Sequence, residues 1–342
     1  PALDDLPRWE TEVVDGELFL GAKQTPEIPI PSGDDPRTIL IVGGGAAGQA
    51  AAETLRREGF AGKIILISAE DELPYDRTAL SKGMLSGEAD PALLPLRNKN
   101  FYERLKIDLK LGQRVQAIDP AKKELSLEGG EKLVGDLILL ATGSRPRRLS
   151  IPGADSEGVH LIRTLKDAKL LARSLGEVKR VSIIGAGFIS LEAAANLRER
   201  GVEVDVVAPE KTPLERVFGA EAGTRIEEIH RKQGVRFHLG AGVTGIERRS
   251  DGYRLKLDGR SGLDTDLIIM AVGVDPLVDY LHGTSLKAEN GIAVNEHFET
   301  SAPGVFAVGD IARFPYAAGE NGGGLFVLIY LHYTERNRPD ID

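Results

Sequence analysis

Thr38-Ile39-Leu40-Ile41-Val42-Gly43-Gly44-Gly45-Ala46-Ala47-Gly48 carries an apolar run straight into a glycine-rich turn. Ala46 to Glu58 then has helical character, Gly59 ends it, and Lys63-Ile64-Ile65-Leu66-Ile67 follows. A continuous apolar run of that length suits a parallel strand covered on both faces. Strand, turn, helix and strand make a βαβ pattern whose turn suits a pyrophosphate, because a helix start offers unpaired N–H groups and the positive end of the dipole. Gly43 permits the tight turn, Gly45 removes a side chain where phosphate approaches the backbone, and Gly48, past Ala46 and Ala47, lets the helix lie close to the strand. Glu70, 27 residues after Gly43, stands where an acid would accept hydrogen bonds from ribose hydroxyls. A solvated loop carboxylate is the competing reading.

The pattern recurs. Val181-Ser182-Ile183-Ile184 leads into Gly185-Ala186-Gly187-Phe188-Ile189-Ser190, then a helix over 190–200 and a strand over Glu203–Val207. Ser190 takes the third glycine position. Glu210 is the second candidate ribose acid, at a displaced spacing, with an ordinary loop charge as the alternative. A carboxylate there would repel a 2′-phosphate, which favours NADH over NADPH, although Lys211 beside it works the other way. The strand endings repeat too: Asp136–Leu140 runs into Ala141-Thr142-Gly143, and Leu267–Met270 into Ala271-Val272-Gly273. Two related nucleotide modules in one chain suggest transfer of electrons between two nucleotide cofactors.

Composition narrows the classes. The 342 residues are 42% apolar and allow two or three domains. A net charge of −9 argues against a general nucleic-acid binder. The sequence contains no cysteine, so redox disulfides, thiolate nucleophiles and cysteine-ligated clusters are excluded for these residues. The six histidines show no metal-ligand spacing, so no metal is expected. The apolar run Leu325–Leu331 is too short to span a bilayer, and a cytoplasmic protein without membrane partner is expected. The first residue, Pro1, reads as a processed or partial chain.

Six motifs in order carry a family resemblance: Gly43–Gly48, Leu73-Pro74-Tyr75-Asp76-Arg77 with Leu80-Ser81-Lys82, Ala141-Thr142-Gly143, Gly185–Ile189 with Glu192, Gly273-Val274-Asp275-Pro276, and Val305-Phe306-Ala307-Val308-Gly309-Asp310. From about residue 37 to 314 the chain resembles the FAD-dependent pyridine nucleotide-disulfide oxidoreductase superfamily. Within it, the chain is most similar to the branch of ferredoxin, rubredoxin and putidaredoxin reductases and apoptosis-inducing-factor-like proteins. The resemblance implies an α/β fold of two Rossmann-like FAD/NAD(P)-binding modules of the three-layer ββα type, the NAD domain inserted in the FAD domain. The expected division is an FAD domain over 37–152, an NAD(P)H domain over 153–275 and an FAD return over 276–314.

The resemblance also implies roles. FAD would lie on Gly43, Gly45, Ala46, Ala47, Gly48 and Glu70, with Arg77 and Lys82 along flavin and pyrophosphate and Val115 at adenine. Ala141, Thr142, Gly143 and Arg147 would line the same site, and Asp310 of Gly309-Asp310 would hold the ribitol. NADH would lie on Gly185, Gly187, Phe188, Ile189 and Glu210, with Gly273 a further cofactor position. Lys82 and Glu192, each by itself an ordinary surface charge, would pair beside the nicotinamide as catalytic residues. The implied activity is hydride uptake from NADH by FAD and delivery of electrons to an iron–sulfur protein or domain. The alternatives are a redox-switched interaction protein of the apoptosis-inducing-factor type, or a truncated cofactor-binding fragment with little turnover.

The two ends depart from this pattern. Residues 1–24, with Trp9–Val14, the Asp15-Gly16 turn signal and Glu17–Leu20, resemble the last hairpin of a Rieske domain and read as its remnant. Residues 25–36, with four prolines, read as a linker. Residues 315–342 read as an atypical tail. The C-terminal interface domain of the family, and the homodimer it would support in a full-length parent, are not visible in it.

Overall fold

The structure, a computed structural model, describes residues 8–24, 28 and 32–314. Leu6 and Pro7, most of 25–31 and the whole segment 315–342 lie outside the described residues, so the readings of the linker's first half and of the tail fall there. The chain divides into two compact units. The first takes the described residues up to Tyr75, Leu96–Gly143 and those from Val278 on; the second takes Asp76–Pro95 and Ser144–Leu277.

In the first unit a five-stranded parallel sheet runs in the order Val305–Ala307, Leu137–Leu140, Thr38–Val42, Lys63–Ile67, Ile107–Lys110. The period-2 alternation of a strand divides its apolar residues between two cores. Leu40, Val42, Ile65, Ile67, Ile138 and Leu140 pack with Val115, Leu125 and Leu127. These last three come from an antiparallel sheet of Val115–Asp119, Glu124–Leu127 and Lys132–Val134. Ile39, Ile41, Ile64 and Leu66 pack on the other side with Ala52 of helix Ala46–Arg57 and with Tyr102 and Leu105. Three layers result, and the unbroken apolar runs are explained by burial on both faces.

The second unit repeats the plan. Its parallel sheet runs Val159–His160, Leu267–Met270, Arg180–Ile184, Glu203–Ala208, Val235–Leu239, beside an antiparallel sheet of Val243–Arg249, Gly252–Leu257 and Arg260–Thr265. Ile184, Val207, Ile268 and Met270 meet Ile246, Leu255 and Leu257 between the sheets. Its helices are Leu165–Ser174, opened by a Thr164–Asp167 capping box, then Phe188–Glu199 and Glu215–Lys232. The second begins two residues before the expected start, because Gly187 is its N-cap. The third was not anticipated. Gly219 interrupts it with φ 78°, and its charged, glycine-containing sequence lacks a clear apolar stripe.

Besides those at 75/76 and 95/96, the unit borders lie at 143/144 and 277/278. Ser144–Pro146 pairs antiparallel with Val274–Pro276, a pair that borders at 152/153 and 275/276 would cut. Arg8–Val14 and Glu17–Gln24 form a two-stranded hairpin whose turn residues Asp15 and Gly16 both have positive φ, 52° and 83°. That is the geometry an Asp-Gly two-residue turn favours.

Candidate functional site

In the first unit, Gly43 leaves strand Thr38–Val42 with φ +123°, and a side chain there would meet the Ala141 carbonyl oxygen at 2.2 Å. A Cβ on Gly48 would lie 2.0 Å from the Gly43 carbonyl oxygen and 3.3 Å from Ile41. These two glycines are fixed by close packing. Gly45 differs: it is the helix N-cap, and nothing lies within 4 Å of where its Cβ would be. The helix it opens has no acidic residue in its first turn. The first N–H groups of an α-helix have no partner inside the helix, so with open space at its N-cap this end is suited to an anion.

Ala141, Thr142 and Gly309 stand at that end. Ala141 donates to the Val42 carbonyl, and the Thr142 and Tyr280 hydroxyls lie 3.2 Å apart. Val308 donates to the Leu140 carbonyl, and a Cβ on Gly309 would stand 2.8 Å from the Ala47 Cβ, so Gly309-Asp310 starts over the helix entrance. Gly44 lies against Ser68, whose carbonyl takes the Gln113 N–H two residues before buried Val115. Glu70 accepts the Tyr75 hydroxyl at 2.6 Å.

The second unit carries the same turn. Gly185 has φ +108° and packs against the Ala271 carbonyl, while Gly187 is an open N-cap like Gly45. Ser190, at the third glycine position, is fully buried with its Oγ 3.5 Å from the Ala271 carbonyl oxygen, so the serine fits. Phe188 stands edge-on to Phe218 at 5.8 Å beside the turn. Gly273, with open space about it, takes the Arg147 N–H on its carbonyl.

Glu210 is not displaced. Ile67 pairs with Val42 and Val207 with Ile184, and each acid stands three residues past that pair. The Glu70 and Glu210 carbonyls also accept from corresponding glycines, Gly112 and Gly240, both at 2.9 Å. The sequence spacing is two residues shorter because the helix-to-strand link is 200–202 in the second unit against 58–62 in the first. The Glu210 carboxylate has Arg216 at 3.4 Å.

Lys82 and Glu192 are both in the second unit and do meet, Nζ to Oε1 at 3.3 Å. Two residues without an assigned role complete the cluster. Ser81 Oγ donates to Glu192 Oε2 at 2.6 Å, and the Asn196 amide donates to the Glu192 and Ser81 carbonyls at 2.7 and 3.3 Å. One turn on, Arg200 donates to the Leu85 carbonyl at 2.9 Å. Positions 192, 196 and 200 form one stripe of the helix face, and they lace it to 81–85. This explains why residues 76–95 belong to the second unit. The polar i, i+4, i+8 spacing was the available signal. Arg77 donates to the Arg163 carbonyl and Arg147 to Asp275, so both of these FAD candidates also lie in the second unit.

The family described as "Pyridine nucleotide-disulphide oxidoreductase" matches residues 37–326, beyond the 314 at which the motifs end. The benzene 1,2-dioxygenase system ferredoxin–NAD(+) reductase subunit of Pseudomonas putida is 37% identical over 284 residues, 82% of this chain and 68% of that protein. Apoptosis-inducing factor 3 of Mus musculus is 33% identical over 338 residues, 94% of this chain and 55% of that one. The chain thus spans between about half and two thirds of the length of these relatives. Among solved structures, the covalent putidaredoxin reductase–putidaredoxin complex matches with a TM-score of 0.80 and 33% identity, over 83% of this chain and 70% of that chain.

Proposed function

The chain belongs to the pyridine nucleotide-disulphide oxidoreductase family, and on that premise we propose that it is an FAD-dependent NADH oxidoreductase serving an iron–sulfur electron-transfer protein. The observation that carries this reading is the duplicated cradle. Each unit has an open glycine N-cap, Gly45 or Gly187, and an acid in the same register, Glu70 or Glu210. The open space at both N-caps fits a pyrophosphate on each. Similarity to the ferredoxin–NAD(+) reductase subunit and to the putidaredoxin reductase–putidaredoxin complex supports the class of acceptor.

The redox chemistry is the flavin's, which takes a hydride equivalent and releases electrons singly. The protein's part is to bind and orient. Gly43–Gly48 and Glu70 hold FAD, with Thr142 and Asp310 at the same end of the sheet. Gly185–Ile189 and Glu210 hold NADH, and the negative charge of Glu210 disfavours a 2′-phosphate. Glu192, paired with Lys82, would lie at the nicotinamide. No helix among the described residues is long and apolar enough to cross a membrane.

Anaerobic titration of the FAD-loaded protein with NADH tests the proposal. Bleaching of the flavin absorbance by about one equivalent, with NADPH far less effective, is the expected result. A flavin that stays oxidised in excess NADH overturns it.

A further inference from the structure

We infer that Ser81 is a positioning residue that sets the orientation of the Glu192 carboxylate for the nicotinamide nucleotide; this rests on the reading that Glu192 serves that nucleotide. The two contacts to Glu192 are unlike each other. Lys82 reaches Oε1 at 3.3 Å with half of its side chain exposed. An ion pair of that kind holds its partner weakly, because solvent screens it and two long side chains must be ordered. Ser81 is buried, and its hydroxyl stands 2.6 Å from Oε2. An ionised carboxylate only accepts, so the hydroxyl donates, and a short bond to a charged acceptor is among the stronger kinds.

Ser81 is itself held. Its carbonyl takes the Asn196 amide, which also donates to the Glu192 carbonyl one turn back on the same helix. The hydroxyl donor and the carboxylate acceptor are therefore tied to one another through backbone as well as side chain. Glu192 has three rotatable side-chain bonds and is about a third exposed, so without Ser81 it would sample other rotamers. With Ser81 on one oxygen and Lys82 near the other, the carboxylate is ordered before any nucleotide arrives. Preorganisation of this kind appears as affinity, since a ligand then need not bear the ordering cost.

The test is calorimetric titration of the FAD-loaded protein with NAD+, with steady-state NADH oxidation alongside. Ser81→Ala is expected to weaken NAD+ binding about tenfold and to raise KM for NADH more than it lowers kcat. Ser81→Thr, which restores a hydroxyl, should recover most of the loss. In a Glu192→Ala background, Ser81→Ala should add nothing. If Ser81→Ala does not fold, Ser81→Cys replaces it, keeping size while losing a strong donor. NAD+ binding unchanged by Ser81→Ala but weakened by Glu192→Ala overturns the inference alone, as do fully additive losses. NAD+ binding unchanged by Glu192→Ala removes the reading of Glu192 and the inference with it.

Discussion

Glu70 and Glu210 hold the same position in the two units, each three residues past the strand residue paired with the one that precedes its glycine turn. A sequence count places them 27 and 25 residues after their first glycines, and only strand register brings them into line. On the proposed function, that shared position is the one from which each acid would reach the ribose of a nucleotide on its own turn. Glu210→Ala is expected to lower kcat/KM for NADH about tenfold and to raise the NADPH-to-NADH ratio. Arg216, exposed and only 3.4 Å from Glu210, becomes available to a 2′-phosphate in that variant. Steady-state kinetics with both nucleotides check this, and an unchanged ratio contradicts it.

The glycines of the first turn separate folding from binding. Gly48→Ala forces a Cβ to 2.0 Å from the Gly43 carbonyl oxygen and should destabilise the unit by roughly 1–3 kcal/mol or more. Gly45→Ala meets nothing within 4 Å, and its φ of −82° suits alanine. Its thermal midpoint without cofactor should stay within about 2 °C of the parent. FAD retention should fall in both variants. Thermal unfolding before and after flavin removal distinguishes the two effects.

Arg56 is fully buried, and its guanidinium donates to the carbonyls of Leu105, Phe60, Gly62 and Lys106. It ties the end of helix Ala46–Arg57 to two loops that flank neighbouring strands. Arg56→Met leaves these carbonyls without their donor and should cost about 3 kcal/mol or more, read as a lower urea midpoint. The NAD-side candidates lie in the other unit, so NAD+ affinity of the folded variant should not change.

Asp205 lies in mid-strand with its side chain only 5% exposed, accepting from Arg236 Nε and Nη2 at 2.9 and 2.7 Å and facing His238 at 2.8 Å. Burial pushes its pKa up, but the hydrogen bonds and charges of Arg236 and His238 outweigh that and hold it below the ordinary value. A depressed carboxyl stabilises the fold above its unfolded pKa of about 3.9 and loses that contribution as pH falls through the folded value. Asp205→Asn should therefore reduce stability at pH 7 by about 1–3 kcal/mol and flatten the acid limb below about pH 4. Denaturant midpoints across pH 2–8 read both. An acid limb as steep as the parent's sinks the argument.

Much of the fold was legible because its signals are local. An apolar run, a glycine turn and an alanine-rich helix stand next to one another in sequence, twice, and repeat at both Ala-x-Gly endings. Helix Glu215–Lys232 escaped notice because its sequence is charged and is broken at Gly219. Ser81 and Asn196 escaped for a different reason: 115 residues separate them, and nothing local marks either as the other's partner.

The sequence by itself determined the two strand–glycine-turn–helix units and the glycines of their turns, since backbone sterics and helix-end electrostatics act over a few neighbouring residues. Tertiary structure alone decided that Glu210 is in register with Glu70, that residues 76–95 pack in the second unit, and that Glu192 meets Ser81 as well as Lys82. Those facts depend on strand pairing and on the face a helix presents. The packing of distant segments sets both, and no count along the chain records them.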